Sequence, residues 1–293
     1  MTGAEVHALI QEADRLQQAY LDAYNRQDLE TSLRIGADQL LPIGEQLAHT
    51  DAHFLDPLAI TLRNLAGICY QLKRLIGAFY FGQRALDLAC AIEEQNLPLH
   101  PFLGDVSVVV SAYAVEIVYK RWPRPWELPA PEENLLGPAV AQVPRSIARM
   151  RQLESFAWAA QLRVAATVLC HLDDQPDLGM LDDESQAMVE LASFAYEQGR
   201  SDITISEIEE VLRLWIRQLD GGRRFWSTQL IETWSVAADL LDRLERPESA
   251  WWIRQAIQQA VAARQQAGLT NLASFSEKLD LREHYRAALA ALH

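Results

Sequence analysis

A pattern of small and large apolar residues recurs along this chain at intervals of tens of residues, and that recurrence limits the architecture more than any single motif does. In its clearest copy, TLRNLAGICYQLKRLIGAFYFGQRAL from Thr61 to Leu86, Leu62, Leu65, Ala66 and Cys69 precede a polar turn, and Ala78 and Ala85-Leu86 follow it. The spacing returns from Leu16 as Ala19, Tyr20, Ala23, then Ser32 and Leu40. It returns from Met188 as Leu191, Ala192, Ala195, Gly199 in the turn, Thr204 and Val211-Leu212, and from Trp234 as Ala237, Ala238, Leu241, Ala250 and Ile257. A fainter copy from Val106 offers Val109, Val110 and Tyr113 without the turn. The starts lie 46, 44, 82 and 46 residues apart, so one step is double and holds an insertion.

Elsewhere apolar residues recur every three or four positions, and β-branched residues gather only at Val106–Val110 and around Ile203–Ile205. This period predicts an all-α chain of paired helices of roughly 15 to 25 residues. Short polar turns fall at Asn25–Asp28, Gln71–Arg74, Gln198–Asp202 and Arg243–Pro247, too short to join anything but antiparallel neighbours. Two helices approach closely only where one offers small side chains, which accounts for Ala66, Gly67, Ala78 and Ala85. One hairpin cannot bury both its faces, so hairpins must stack. The expected product is a single domain over 1–293: a right-handed α-solenoid of about five hairpins, its concave surface built from the first helix of each, with a closing helix at Leu272–Leu292.

The insertion is a shift in composition. Arg121 to Pro144, RWPRPWELPAPEENLLGPAVAQVP, holds six of the 12 prolines. Proline removes a backbone donor and restricts its predecessor, so 121–144 is expected to be an extended loop inside the third repeat, whose second helix would run from Arg145 to Leu172.

The net charge of −14, from 26 Lys+Arg against 40 Asp+Glu, repels phosphate backbones, and no basic run exceeds pairs such as Lys120-Arg121 and Arg223-Arg224. A basic protein surface is therefore the expected partner, and nucleic acid is not. Cys69, Cys90 and Cys170 are odd in number, lack CxxC spacing and sit in apolar segments, which predicts reduced, buried thiols in a cytoplasmic protein. The N-terminus shows no basic region followed by an apolar one, and the apolar run Val106–Tyr119 is short and carries Glu116, so neither a signal peptide nor a membrane span is expected.

TLRNLAGICYQLKRLIGAFYFGQRALDLACAI resembles a tetratricopeptide repeat of the longer, kinesin-light-chain-like type, and LASFAYEQGRSD is similar to the same helix-to-turn passage. Gly36 and Gly82 depart from the bulky residue usual in the second helix, and Lys73 from the usual turn glycine. The resemblance implies binding of a peptide or partner helix in a groove lined by first helices. By spacing, the lining residues are Gln17, Gln18, Leu21, Tyr24 and Asn25 in the first repeat, then Arg63, Asn64, Gly67, Tyr70 and Gln71. The fourth repeat supplies Glu190, Ser193, Tyr196 and Glu197; the fifth supplies Ser235, Asp239, Asp242 and Arg243. Asn64 falls where such repeats often place an asparagine that clamps a peptide backbone. Trp122 and Trp126, between prolines of the insertion, and one of the adjacent Trp251-Trp252 are candidate aromatic anchors or tucked-in side chains.

Catalytic patterns are sparse. Asp173-Asp174-x-x-Asp177, with Asp202, Ser206 and Glu210, has the shape of the paired magnesium motifs of terpenoid synthases. Pro176 puts the first in a turn, the two motifs stand 29 residues apart, and Asp202 suits a helix cap. His49 and His53 would share a metal only on one continuous helix, whereas AHTDAHFLDP reads as a turn capped by Thr50 or Asp51. No local Ser/His/Asp or Cys/His grouping and no phosphate loop is present. The expectation is a non-enzymatic adaptor, scaffold or regulatory subunit with no cofactor or metal. The alternative is a regulator that closes on a small molecule or short peptide, and an all-α magnesium enzyme is a distant third.

Overall fold

A computed structural model describes residues 2–121, 134–172, 176–223, 225–266, 275–276 and 279–292. Among the described residues the chain is all-helical apart from one two-residue antiparallel pairing, β1 (Phe225–Trp226) with β2 (Phe275–Ser276). The helices are α1 (Gly3–Asn25), α2 (Leu29–Ile35), α3 (Leu41–Ala48), α4 (Leu55–Gln71), α5 (Leu75–Glu94), α6 (Val106–Arg121), α7 (Leu136–Gln152), α8 (Phe156–Cys170), α9 (Leu178–Glu197), α10 (Ser201–Asp220), α11 (Thr228–Arg243), α12 (Pro247–Gln266) and α13 (Arg282–Ala290). A π-helical turn, Gly36–Leu40, carries α2 straight into α3. Its extra residue explains why Leu40 lies eight positions after Ser32 when Ala85 lies seven after Ala78.

Five hairpins share one turn. In each, a left-handed residue follows the first helix: Gln27, Lys73, Glu154, Gly199 and Glu245, with φ between 52° and 69°. The next amide then reaches back to the carbonyl five residues earlier, as Arg74 to Cys69, Ser155 to Met150 and Arg246 to Leu241, each at 2.8 Å. This is the Schellman closure, which satisfies carbonyls that the helix end leaves open. Measured from the left-handed residue, the same positions are buried in every copy. Seven before it stand Tyr20, Ala66, Ile147, Ala192 and Ala238; five after it stand Ser32, Ala78, Ala159, Thr204 and Ala250, all fully buried. The two hydroxyls in the second set both reach across the hairpin, Ser32 to the carbonyl of Tyr20 and Thr204 to that of Ala192, each at 3.3 Å.

This register corrects the third repeat. Its first helix is α7, with Val143, Ile147 and Met150, and its second is α8, with Ala159; α6 stands outside the hairpins. The left-handed residues fall 46, 81, 45 and 46 apart, so the long step contains α6 and its flanking links. Residues 122–133 lie outside the described residues, and the loop expected over 121–144 does not hold for 136–144, because α7 already begins at Leu136. Pro138 lies in its first turn, where the missing N–H had no helical acceptor, and Pro144 is tolerated inside the helix. Beside the gap at Pro144, buried Gln83 of α5 donates to the carbonyl of Ala139 at 3.1 Å and accepts from Ser146 at 3.0 Å. The closing helix begins at Arg282 rather than Leu272, since Phe275–Ser276 pairs as β2.

Two rows of helices result. One contains α2–α3, α5, α7, α9 and α11. Within it α5, α7, α9 and α11 pack in succession, and ion pairs cross the first three steps of the row: Glu30 with Arg74 at 3.0 Å, Asp87 with Arg149 at 3.3 Å, and Arg151 with Glu197. The other contains α1, α4, α6, α8 and α10, linked by Arg63 with Asp105 at 2.9 Å, the Tyr70–Tyr113 ring stack, α6 against α8, and Arg163 with Glu207 at 2.6 Å. Because α6 is a single helix, the first helices of the later hairpins continue the line of α5, not that of α4. A surface made from every first helix therefore does not exist as one face. The apolar interior forms two clusters that meet along α9, where Leu191 and Phe194 face one and Met188, Val189 and Ala192 the other.

Small residues separate into two kinds. A Cβ on Gly36 would lie 2.6 Å from Leu65 Cδ2, so the bulk usual there is excluded by Leu65 and Tyr20. A Cβ on Gly67 would meet nothing within 4 Å, so this glycine does not serve a helix crossing, against the expectation. All three cysteines are buried and none forms a disulfide. Among the described residues, two stretches, Leu75–Glu94 and Pro101–Tyr119, are long and apolar enough to cross a bilayer; the first is 67% buried within the fold.

Candidate binding site

α1 starts at a capping box: Thr2 accepts from the amide of Glu5 at 3.3 Å, and the Glu5 carboxylate accepts from the amide of Thr2 at 2.7 Å. Ahead of α4, Asp51 caps a short 3₁₀ turn, accepting from the amide of His53 at 2.9 Å. Thus α1 and α4 each enter the second row from a fixed start. Between their N-terminal halves lies a cleft of about 360 Å³, with Ile10, Ala13, Asp14 and Gln17 on one wall and Pro57, Ile60, Thr61 and Asn64 on the other. Tyr20, Leu40, Leu47 and Leu58 close its floor.

At this cleft Thr61 Oγ1 donates to the carbonyl of Pro57 at 2.9 Å, while three other polar side chains are uncommitted. Among the described residues, Asp14, Gln17 and Asn64 make no side-chain hydrogen bond or ion pair. Cavities of about 570, 620 and 760 Å³ elsewhere include in their walls Arg84 paired with Glu45, Arg74 paired with Glu30, and Arg223, which is held by Asp182.

The other expected lining residues are distributed differently from the sequence reading. Arg63 is held by Asp105 through both Nε and Nη2 and lies over the Phe102 ring at 3.7 Å, so its charge is not free for a partner. Gln18 donates to Asp22 at 2.8 Å, and Tyr70 stacks on Tyr113 with ring centroids 5.2 Å apart. Tyr24, Asn25 and Gln71 are exposed at the C-terminal ends of α1 and α4. Glu190, Tyr196, Asp239 and Arg243 belong to α9 and α11 in the other row, so they do not join the α1–α4 set. There Glu190 lies 3.8 Å from Arg151, and Asp239 and Asp242 share Arg254 at 2.9 and 2.7 Å. Trp122 and Trp126 lie outside the described residues, whereas Trp251 is half exposed and packs edge-on against Trp252. Ile10, Ala13, Asp14, Phe54, Ile60 and Thr61 went unnoticed in the sequence, although the amphipathic period of α1 already runs one turn ahead of Leu16.

The residues weighed for metal or acid–base chemistry have other roles. Asp177 caps α9, accepting from the amide of Met180 at 2.8 Å, while Asp173 and Asp174 lie outside the described residues. Asp202 is in the first turn of α10 and not its cap, which is Arg200. His49 Nδ1 bonds the carbonyl of Glu45 and His53 Nδ1 bonds Asp51. Burial pushes the Cys90 thiol up to about 11 and raises Cys170 further, with Glu184 adding to the latter, so neither is poised as a thiolate.

No protein-family model matches the chain, and no curated protein matches it. The cleft must be interpreted from its own chemistry.

Proposed function

We propose that this chain is a non-enzymatic protein-interaction module, an adaptor, scaffold or regulatory subunit, built as a tetratricopeptide-like helical solenoid. Its recognition site is the cleft between α1 and α4. The observation that carries this reading is Asn64: half-buried, unbonded, and set on the wall of an apolar cleft where its amide can both donate to and accept from another chain. An apolar floor with a few polar groups at the rim is the usual composition of a recognition site. The acidity of the chain favours a partner with a basic surface.

The test is recovery of a stoichiometric partner from cell extract on the immobilised full-length chain, followed by calorimetry on the purified pair. Asn64→Ala should weaken binding by about 1–2 kcal/mol, roughly tenfold, with unchanged melting. Unaltered affinity would place the binding surface elsewhere.

A further inference from the structure

The fold already contains one solution to a gap between second-row helices. α10 and α12 flank one hairpin helix, α11, just as α1 and α4 flank α2–α3. α13 packs against both α10 and α12. It is short and amphipathic: Tyr285 is fully buried against Trp215 and Trp234, at ring distances of 5.3 and 5.5 Å, while Arg282 and Arg286 face Asp220 at 3.7 and 3.9 Å. An apolar ridge therefore enters the gap and a basic flank meets a carboxylate at its edge.

The α1–α4 cleft has the complementary parts and no such helix. Its floor is apolar, its α4 wall from Pro57 to Asn64 is about 10 Å long at 1.5 Å per residue, and one turn further along α4 a Cβ on Gly67 would meet nothing within 4 Å. Asp14 is the single charged residue lining it, exposed and without an ion pair among the described residues. We infer that its occupant is a short amphipathic helix of a partner protein, which lays an apolar ridge on Ile10, Ile60 and Leu58 and sets a lysine or arginine against Asp14. This inference rests on the binding reading above. Apolar anchors on one helical face supply affinity in such a groove, and the charge at the rim sets orientation and preference.

The test uses three designed, fluorescently labelled peptides of about four helical turns. One has a leucine stripe and lysines on its flanks, the second replaces the lysines by glutamates, and the third is the lysine peptide with a central proline. Anisotropy titration of the full chain should show saturable binding of the lysine peptide and at least about tenfold weaker binding of the other two. Asp14→Lys should reverse the lysine-over-glutamate preference. Ile60→Lys, at a half-buried wall position, should abolish binding at unchanged melting temperature. Equal binding of the lysine and glutamate peptides, or indifference to Asp14→Lys, would overturn the basic character of the occupant. Tolerance of the proline would overturn its helical form. If none of the peptides binds while a captured partner still depends on Asn64, the helix inference falls and the cleft stands. If the partner is indifferent to Asn64→Ala and Ile60→Lys as well, both fall.

Discussion

Arg223 reaches Asp182 with both terminal nitrogens, Nη1 to Oδ1 at 2.7 Å and Nη2 to Oδ2 at 2.8 Å, and both side chains are almost wholly buried. Asp182 lies in α9 and Arg223 just beyond α10. Ser227, the cap of α11, also donates to Asp182, at 2.9 Å. One carboxylate thus joins three consecutive elements, beside a cluster in which Trp226 packs on Trp234 and Trp215 on Tyr285.

Breaking this pair from one side should be costly, because the remaining charge would be buried alone. Asp182→Asn is expected to destabilise by about 3–5 kcal/mol, whereas Asp182→Leu with Arg223→Met should lose far less than the sum of the two single changes. Urea unfolding of Asp182→Asn, of Asp182→Leu and Arg223→Met singly and of their double measures the difference. Equal, additive losses would show that the two groups are not coupled.

The left-handed turn residues give a second expectation. Lys73 and Glu245 hold φ of 64° and 58°, a region that disfavours side chains with a Cβ. Lys73→Gly and Glu245→Gly should each raise stability by up to about 1 kcal/mol, and Gly199→Ala should lower it by a similar amount. Thermal melts decide the matter; a destabilised Lys73→Gly would mean that the lysine side chain contributes more than the turn strain costs.

The two classes of glycine should respond oppositely to the same change. Gly67→Ala adds a methyl group into open space in a helix and should stabilise by about 0.5–1 kcal/mol. Gly36→Ala drives a Cβ against Leu65 and should destabilise by about 1–3 kcal/mol, as should Ala238→Leu at its buried crossing. Similar melting of both glycine variants would contradict the packing around Gly36.

Glu190 carries a pH prediction. Burial raises its carboxyl above the usual range, opposed by Arg151, so between the ordinary and the raised value the folded chain holds more protons than the unfolded one. The contribution is fully present below the unfolded value and lost as pH rises through the folded one. Glu190→Gln should therefore raise the melting temperature near neutral pH and change little at about pH 4, since Arg151 keeps Glu197. A variant less stable at neutral pH would show that the ion pair outweighs the burial.

Much of the fold could be read from residue spacing, and the failures have physical causes. Ser32, Ala78, Thr204 and Ala250 mark equivalent crossings because a helix pair tolerates nothing larger there, and that constraint is local enough to leave a trace. Ala159 escaped because Pro144 looked like a boundary when only one hydrogen bond had been given up, so the turn at Glu154 was passed over. α6 looked like a first helix because Val106, Val110 and Tyr113 have the right period; that it is unpaired depends on contacts between rows. Of the candidate site, Asn64 and Gln17 were legible by their offset from the turn. Asp14 and Ile60 were not, since they matter only where α1 and α4 diverge.

The lone α6 also decides where the connections emerge. Each hairpin reverses the chain once and each link between hairpins reverses it again, so an unpaired helix changes the parity of the whole succession. The tight turns at Gln27 and Lys73 therefore lie on one edge of the stack, and those at Glu154, Gly199 and Glu245 on the opposite edge. The links after α3 and α5, 49–54 and 95–105, therefore lie on one margin, and the C-terminal ends of α6, α8 and α10 on the other. A partner that gripped the margin of this molecule rather than its helices would meet short, closed corners along half its length and open connections along the rest.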